Sequence, residues 1–85
     1  MFYKVSAVKP LSEYRLWVQF LNGEQKEYDV KPLFEKWAAF QTLSRVSGLF
    51  EQVHVDAGGY GIRWNDDIDL SCNELYNEAK KESRP

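Results

Sequence analysis

The chain has 85 residues, of which 44% are hydrophobic and 28% are charged. These proportions are typical of a globular protein and exclude a disordered or repetitive chain, so we expect one domain over residues 1–85. With 11 basic and 13 acidic residues, the net charge is −2. Because DNA-binding domains usually carry an excess of basic charge, we expect no nucleic-acid partner.

The sequence also indicates in which cellular compartment the protein lies. A single cysteine excludes an intramolecular disulfide bond and is typical of a reducing environment. The first residues do not have the basic and apolar regions of a signal peptide, and no apolar run approaches the ~20 residues of a membrane-spanning helix. We therefore expect a cytoplasmic protein without membrane contact.

Three strands are predicted in the first half of the chain. Residues 2–8 are rich in aromatic and β-branched side chains, which favour a strand. Apolar and polar residues alternate over residues 14–20, as in a strand with one buried face. Residues 24–30 form the return strand of a hairpin.

The turn of this hairpin can be chosen from the phase of the strands. A two-residue turn at Asn22-Gly23 would place Glu27 and Asp29 on the buried face. A three-residue turn over residues 21–23 avoids this, because a shift of one residue exchanges the two faces of a strand. The pattern therefore predicts the longer turn, with the glycine in the left-handed conformation.

A helix and a second hairpin follow. Pro32 is suited to the first turn of a helix, and apolar side chains at helical spacing predict a helix over residues 32–41. Residues 53–56 and 60–64 then read as two strands around a tight turn at residues 58–59. In this register Val55 faces Ile62.

The last predicted element is a helix over residues 72–81. Ser71 and Glu74 have the spacing of a capping box, in which each side chain bonds to the other residue's backbone. The predicted order is βββαββα. The sequence therefore indicates an α+β domain, with a mostly antiparallel sheet of about five strands and two helices on one face.

Several apolar, aromatic and turn residues have a recognisable order and spacing: Val5, Val8, Pro10, Tyr14, Leu16, Val18, Phe20, Asn22, Gly23, Glu24, Phe50, Val53, Val55, Asp56, Ile62, Trp64, Asp69, Leu70, Leu75 and Tyr76. In this pattern the chain resembles the bacterial family called domain of unknown function 2442. The resemblance implies no catalytic residues. It implies antitoxin or adapter roles, because members often look like partners of small toxin-like proteins. Some members carry an appended helix-turn-helix domain, and some relatives carry labels related to molybdenum-cofactor synthesis.

Few residues suggest chemistry. His54 and Cys72 are the only residues of their types, and we interpret them as a strand residue that faces solvent and a small residue after a helix cap. Asp66, Asp67 and Asp69 could bind a hard cation, but their spacing does not fit an EF-hand and favours a solvated turn. We expect no catalytic, cofactor-binding or metal site, and no cofactor.

One surface is a candidate for interaction. Arg15, Trp17 and Gln19 lie on the face of their strand opposite the apolar residues. Trp and Arg are common anchors of protein interfaces. Either a partner covers this tryptophan or the helix over residues 32–41 does.

We therefore expect a protein-interaction module without enzymatic activity. Its partner would be a small toxin-like protein or a second copy of the chain, which would give a dimer. The alternative is a protein that binds a small molecule or a cofactor, for example one related to molybdenum cofactor, with or without weak enzymatic activity.

Overall fold

Two antiparallel sheets and three α-helices make up the part of the chain that the computed structural model describes, which is the backbone of residues 3–81 with side chains through residue 79. The strands are β1 (Val5–Leu11), β2 (Arg15–Phe20), β3 (Gln25–Asp29), β4 (His54–Val55), β5 (Gly61–Asn65), β6 (Ile68–Ser71) and β7 (Lys80–Lys81). The helices are α1 (Lys31–Lys36), α2 (Ala38–Arg45) and α3 (Cys72–Glu78).

The strands form one sheet in the order β1-β2-β3-β7 and another in the order β4-β5-β6. The predicted α+β class with antiparallel pairing is confirmed. The predicted single sheet of about five strands is replaced by two sheets, because β4 and β5 pair with each other and with β6 rather than with the first three strands.

The hairpin of β2 and β3 has the predicted register. Leu16 pairs with Tyr28 and Val18 pairs with Lys26. The three-residue turn is also confirmed, because Gly23 takes the left-handed conformation with φ +91°. A turn of this length keeps Leu16, Val18 and Phe20 of β2 buried.

The chain makes a tight corner between β1 and β2. β1 continues to Leu11, beyond the predicted end at residue 8, and accommodates Pro10 because it is an edge strand. A short 3-10 turn, Ser12–Tyr14, follows. In this turn Glu13 and Tyr14 have φ values of 60° and 57°. Tyr14 therefore lies in a strained corner rather than in the predicted strand.

The helix predicted over residues 32–41 is divided into α1 and α2 at Trp37. This residue has an extended backbone, with φ −133° and ψ 123°. The break allows Leu33 of α1 and Phe40 of α2 both to be buried, and it leaves the Trp37 side chain 42% exposed. Neither proline nor glycine marks the break in the sequence.

The second hairpin also has the predicted register. His54 pairs with Arg63 and Val55 pairs with Ile62. Its turn is longer than predicted, because Ala57–Gly59 forms a 3-10 turn in place of a two-residue loop.

β6 is a strand that the sequence analysis did not predict. Ile68 and Leu70 are buried and alternate with exposed Asp69 and Ser71. β6 pairs with β5 at such close range that a Cβ atom on Gly61 would lie 2.4 Å from the Leu70 carbonyl oxygen.

The N-terminus of α3 is capped as predicted, because Ser71 Oγ accepts a hydrogen bond from the Glu74 N–H at 3.1 Å. The Glu74 carboxylate accepts from the Tyr28 hydroxyl at 3.2 Å, which takes the place of the reciprocal capping bond. α3 ends at residue 78, before the predicted end at residue 81, because the chain joins the first sheet as β7. Residues 1–2 and 82–85, which include the predicted start of the first strand at Phe2, lie outside the described residues.

The core lies between the two sheets and the helices. Its buried side chains between residues 3 and 79 are aliphatic, aromatic or, at Cys72, a thiol, and none carries a charge. They are Val5, Leu16, Val18, Phe20, Tyr28, Val30, Leu33, Phe40, Leu43, Phe50, Ile62, Trp64, Ile68, Leu70, Cys72 and Leu75. No helix between residues 3 and 81 has the length and apolar character needed to span a membrane.

Candidate functional site

The face of the four-stranded sheet that carries Arg15, Trp17 and Gln19, called here the outer face, lies opposite the core. Leu16 and Val18 alternate with these three residues along β2 and are fully buried. The buried side chains of α1 and α2 belong to the same core. The helices therefore pack on the opposite side of the sheet from the outer face.

Trp17 is half-buried and is held by neighbours on the outer face. Its Nε1–H donates a hydrogen bond to Gln25 Oε1 at 3.3 Å. Lys9 Nζ lies 5.3 Å from the centre of the indole ring, within the range of a cation–π contact. These contacts order the ring without help from the helices.

Arg15 is fixed in a similar way. Its Nη1 donates to Glu27 Oε2 at 2.7 Å, and its Nε donates to the Ser12 carbonyl oxygen at 3.1 Å. Gln19 accepts a hydrogen bond from Ser6 Oγ through its backbone carbonyl. The structure therefore places the three predicted residues side by side on one face, and their role in interaction stays a prediction.

A second surface feature was missed by the sequence analysis. A groove of about 550 Å³ lies between the α1–α2 break on one side and β6 with the start of α3 on the other. We call it the Trp37 groove, and it is defined by Trp37, Phe40, Asp67, Asp69, Leu70 and Glu74. Trp37 lies within the helix predicted over residues 32–41, and no local signal in the sequence shows that the helix breaks there.

Another cavity, of about 520 Å³, lies beside the corner between β1 and β2. The strained residues Glu13 and Tyr14 line it together with Arg45 and Glu51. Of these three charged residues, Glu13 comes before Arg45 in the sequence and Glu51 comes after it. This cavity shares no lining residue with the Trp37 groove. It adjoins the outer face at Ser12, whose carbonyl oxygen accepts the hydrogen bond from Arg15.

The three aspartates proposed as a possible cation site lie on the turn between β5 and β6 and on β6 itself. Asp69 Oδ2 is 3.6 Å from Arg63 Nη2. Across the described part of the chain, no three His, Cys, Asp or Glu side chains come together in a way that could hold a metal ion.

His54 and Cys72 are not brought together. His54 is exposed on β4, and its Nδ1 lies 3.1 Å from the Gln52 carbonyl oxygen. Cys72 is buried at the start of α3, and its Sγ is 3.9 Å from Asn73 Oδ1. The two residues therefore form no nucleophile and base pair in this structure.

Two pairs of side chains contain groups with shifted pKa values, in addition to Tyr76, whose pKa is raised by its hydrogen bond to Glu24. Burial, and then the adjacent Glu74 carboxylate, raises the pKa of Tyr28 above its ordinary value. A hydrogen bond from Arg63 lowers the pKa of Asp56, and the same bond raises the pKa of Arg63. These pairs join one element to another, and neither lies on the outer face.

Comparison with known proteins places this fold in a family. Residues 5–81 match the family described as Protein of unknown function (DUF2442). The chain belongs to this family. The resemblance seen in the sequence is thus confirmed, and no curated protein matches the chain.

A solved structure is similar to this DUF2442 domain. The crystal structure of "Putative DNA Binding Protein NE0471" from Nitrosomonas europaea has a TM-score of 0.79 and 26% sequence identity. The similarity covers 93% of this chain and 50% of that chain. This chain therefore spans about half the length of the Nitrosomonas protein.

This comparison corrects one expectation. The prediction that nucleic acid is not a partner is wrong, because it is contradicted by a solved neighbour whose name refers to DNA binding. The prediction used only the net charge of −2. A net charge sums over the whole chain and does not report local groups of basic residues or the remainder of a longer protein.

Proposed function

We propose that this DUF2442 domain is a cytoplasmic protein-interaction module that acts in assemblies bound to DNA. The outer face is its contact surface, and Arg15 and Trp17 are its anchors. The arrangement of Trp17 is the observation that carries the proposal. An indole on the side of the sheet away from the core, already held by Lys9 and Gln25, is available to a partner.

Prior ordering of the anchors favours binding. Immobilising a flexible side chain at an interface costs about 0.5–1.5 kcal/mol. The ion pair between Arg15 and Glu27 and the hydrogen bond from Trp17 already restrict these side chains. A partner that contacts the outer face therefore meets anchors that lose little further freedom.

The charge pattern of the outer face suits a protein partner. Lys9 and Arg15 supply positive charge, and Glu27 and Asp29 on the neighbouring strand supply negative charge. Charges of both signs around a central aromatic ring favour a partner surface with the complementary arrangement. A small toxin-like protein, as the family resemblance implies, is the narrower form of this proposal.

The connection with DNA is proposed from the Nitrosomonas protein. The structural similarity covers nearly all of this chain but only half of the Nitrosomonas protein. We infer that the domain supplies the protein contact of a DNA-bound assembly, in which DNA is held by the assembly as a whole.

A capture experiment tests both parts of the proposal. Tagged wild-type protein, Trp17→Ala and the control Leu21→Ala are expressed in the native cell, and bound protein and DNA are measured. Leu21 is exposed at the tip of the hairpin, away from the centre of the outer face. We expect one partner and its DNA to be captured by the wild type and by the control but not by Trp17→Ala. Equal capture by all three variants would overturn the outer face as the contact surface.

A second measurement separates the module from a direct DNA reader. The isolated domain is titrated with labelled duplex DNA at several salt concentrations. Tight binding that weakens steeply with salt would show that the domain itself neutralises phosphates. In that case the proposed division between protein contact and DNA contact is wrong.

A further inference from the structure

The Trp37 groove combines an apolar base with an exposed aromatic ring. Phe40 and Leu70 each retain only 5% exposure, whereas Trp37 is 42% exposed. The rings of Trp37 and Phe40 lie 5.6 Å apart between centres. The groove therefore offers apolar surface that the domain itself leaves uncovered at Trp37.

Carboxylates form the polar side of the Trp37 groove. Asp67 and Asp69 are exposed, and Glu74 is half-buried. Asp67 takes part in no ion pair among residues 3–79. The Asp69 carboxylate lies 3.6 Å from Arg63, which has a closer partner in Asp56. Three acidic side chains thus face a groove that no described lysine or arginine lines.

The exposed indole adds a preference for cations. Lys36 Nζ lies 4.9 Å from the centre of the Trp37 ring, so the ring already attracts the positive charge of the residue that ends α1. Aromatic faces bind guanidinium groups well, because arginine can stack on the ring while its N–H groups donate to carboxylates.

We propose that the Trp37 groove binds an arginine-bearing peptide segment of a partner protein. The guanidinium group lies against Trp37 and donates to Asp67 and Glu74, and neighbouring apolar side chains of the peptide cover Leu70. The volume of about 550 Å³ is suited to a few side chains. Charge complementarity favours this occupant over an acidic or a purely apolar one. The inference concerns a surface distinct from the outer face and does not rest on the proposed function.

The test uses a defined peptide. A labelled six-residue peptide that alternates arginine with leucine is compared with the same peptide carrying citrulline, which keeps the shape of arginine without its charge. Binding is followed by heteronuclear NMR on the full chain. We expect the arginine peptide to shift the Trp37 indole and Leu70 amide signals, and the citrulline peptide to bind at least about fivefold more weakly.

Matched variants separate the groove from general electrostatic attraction. Asp67→Asn and Glu51→Gln each remove one exposed acidic charge, but only the first lies in the Trp37 groove. We expect Asp67→Asn to weaken binding about fivefold and Glu51→Gln to leave it nearly unchanged. Equal weakening by both, or peptide-induced shifts spread over the whole surface, would overturn the proposal.

Two further outcomes also decide the matter. Trp37→Ala should bind the arginine peptide more weakly, whereas Trp17→Ala should bind it as the wild type does. The Trp37 groove proposal can therefore fail while the proposed function of the outer face stands, and the reverse also holds. If free spermidine shifts the same signals as strongly as the peptide, the groove binds small cations and the peptide proposal is wrong.

Discussion

The hydroxyl of Tyr28 donates to Glu74 Oε2 at 3.2 Å, although 46 residues separate them in the sequence. This bond joins β3 of the first sheet to α3, which follows directly from β6 of the second. Tyr28 is buried, and Glu74 is also the residue whose N–H is capped by Ser71. One hydrogen bond thus connects the two halves of the fold at a residue that borders the Trp37 groove.

Tyr28→Phe should therefore destabilise the domain. The change removes the donor while the carboxylate stays accessible to water, so we expect a loss of about 1 kcal/mol in the free energy of unfolding. Urea unfolding followed by circular dichroism measures it. Tyr14→Phe is the control, because no described hydrogen bond uses the Tyr14 hydroxyl, and it should change stability by no more than a few tenths of a kcal/mol. Equal losses in the two variants would show that the Tyr28 bond contributes nothing specific.

The same tyrosine should make the free energy of unfolding depend on pH in the alkaline range. Burial first, and the Glu74 carboxylate second, raises the pKa of Tyr28 in the folded state. The stability from this shift is fully present below the unfolded pKa of about 10 and is lost as the pH rises above it. We expect the unfolding free energy of the wild type to fall more steeply above about pH 10 than that of Tyr28→Phe. Parallel pH profiles for the two proteins would contradict this expectation.

The Arg15–Glu27 ion pair on the outer face should add little to stability. Both side chains are about one third exposed, at 35% and 37%, and pairs of this kind are worth about 0.2–1 kcal/mol. A double-mutant cycle with Arg15→Met and Glu27→Gln should give a coupling energy in this range that decreases as salt is added. A coupling energy that does not respond to salt would mean that the pair is shielded from solvent.

Much of the fold follows from patterns of period two in the sequence. The β2–β3 register was predictable because Leu16, Val18 and Tyr28 must share one face, and this requirement also selected the turn that ends at Gly23. β6 shows the same alternation, with Ile68 and Leu70 buried. It was missed because a four-residue strand next to an acidic turn is too short to stand out from a loop.

The remainder depends on tertiary packing. The break at Trp37 has no glycine or proline to mark it, and it forms because α1 and α2 must each bury an apolar side chain in one core. The Trp37 groove is a consequence of that break, so it could not be predicted either. The outer face was predictable, since Arg15 and Trp17 alternate with core residues along a single strand.

The corner at Glu13 offers a way to stabilise the domain. Glu13 is exposed and has φ +60°, a conformation that costs a residue with a side chain about 1–2 kcal/mol. Glu13→Gly removes that cost, and it retains the carbonyl oxygen that accepts from Lys31 Nζ. After the greater freedom of glycine in the unfolded chain is subtracted, we expect a gain of about 0.5–1 kcal/mol. Ser12→Gly, at the neighbouring exposed position, should destabilise slightly, and a loss of stability in Glu13→Gly would show that the corner carries no strain.

The close approach of β5 and β6 predicts that the reverse type of change, from glycine to a residue with a side chain, destabilises the domain at Gly61. A Cβ atom there would lie 2.4 Å from the Leu70 carbonyl oxygen and 3.2 Å from the Ser71 Cα atom. Both are backbone atoms of β6, so they cannot move aside without separating the two strands. We expect Gly61→Ala to cost about 1–3 kcal/mol of unfolding free energy, as overpacking does elsewhere. Gly23→Asn serves as the control, because nothing lies within 4 Å of a Cβ atom at that turn and asparagine tolerates the left-handed conformation. The control should lose less than about 1 kcal/mol in the same thermal or urea unfolding experiment, and a Gly61→Ala protein as stable as the control would contradict the strand spacing described here.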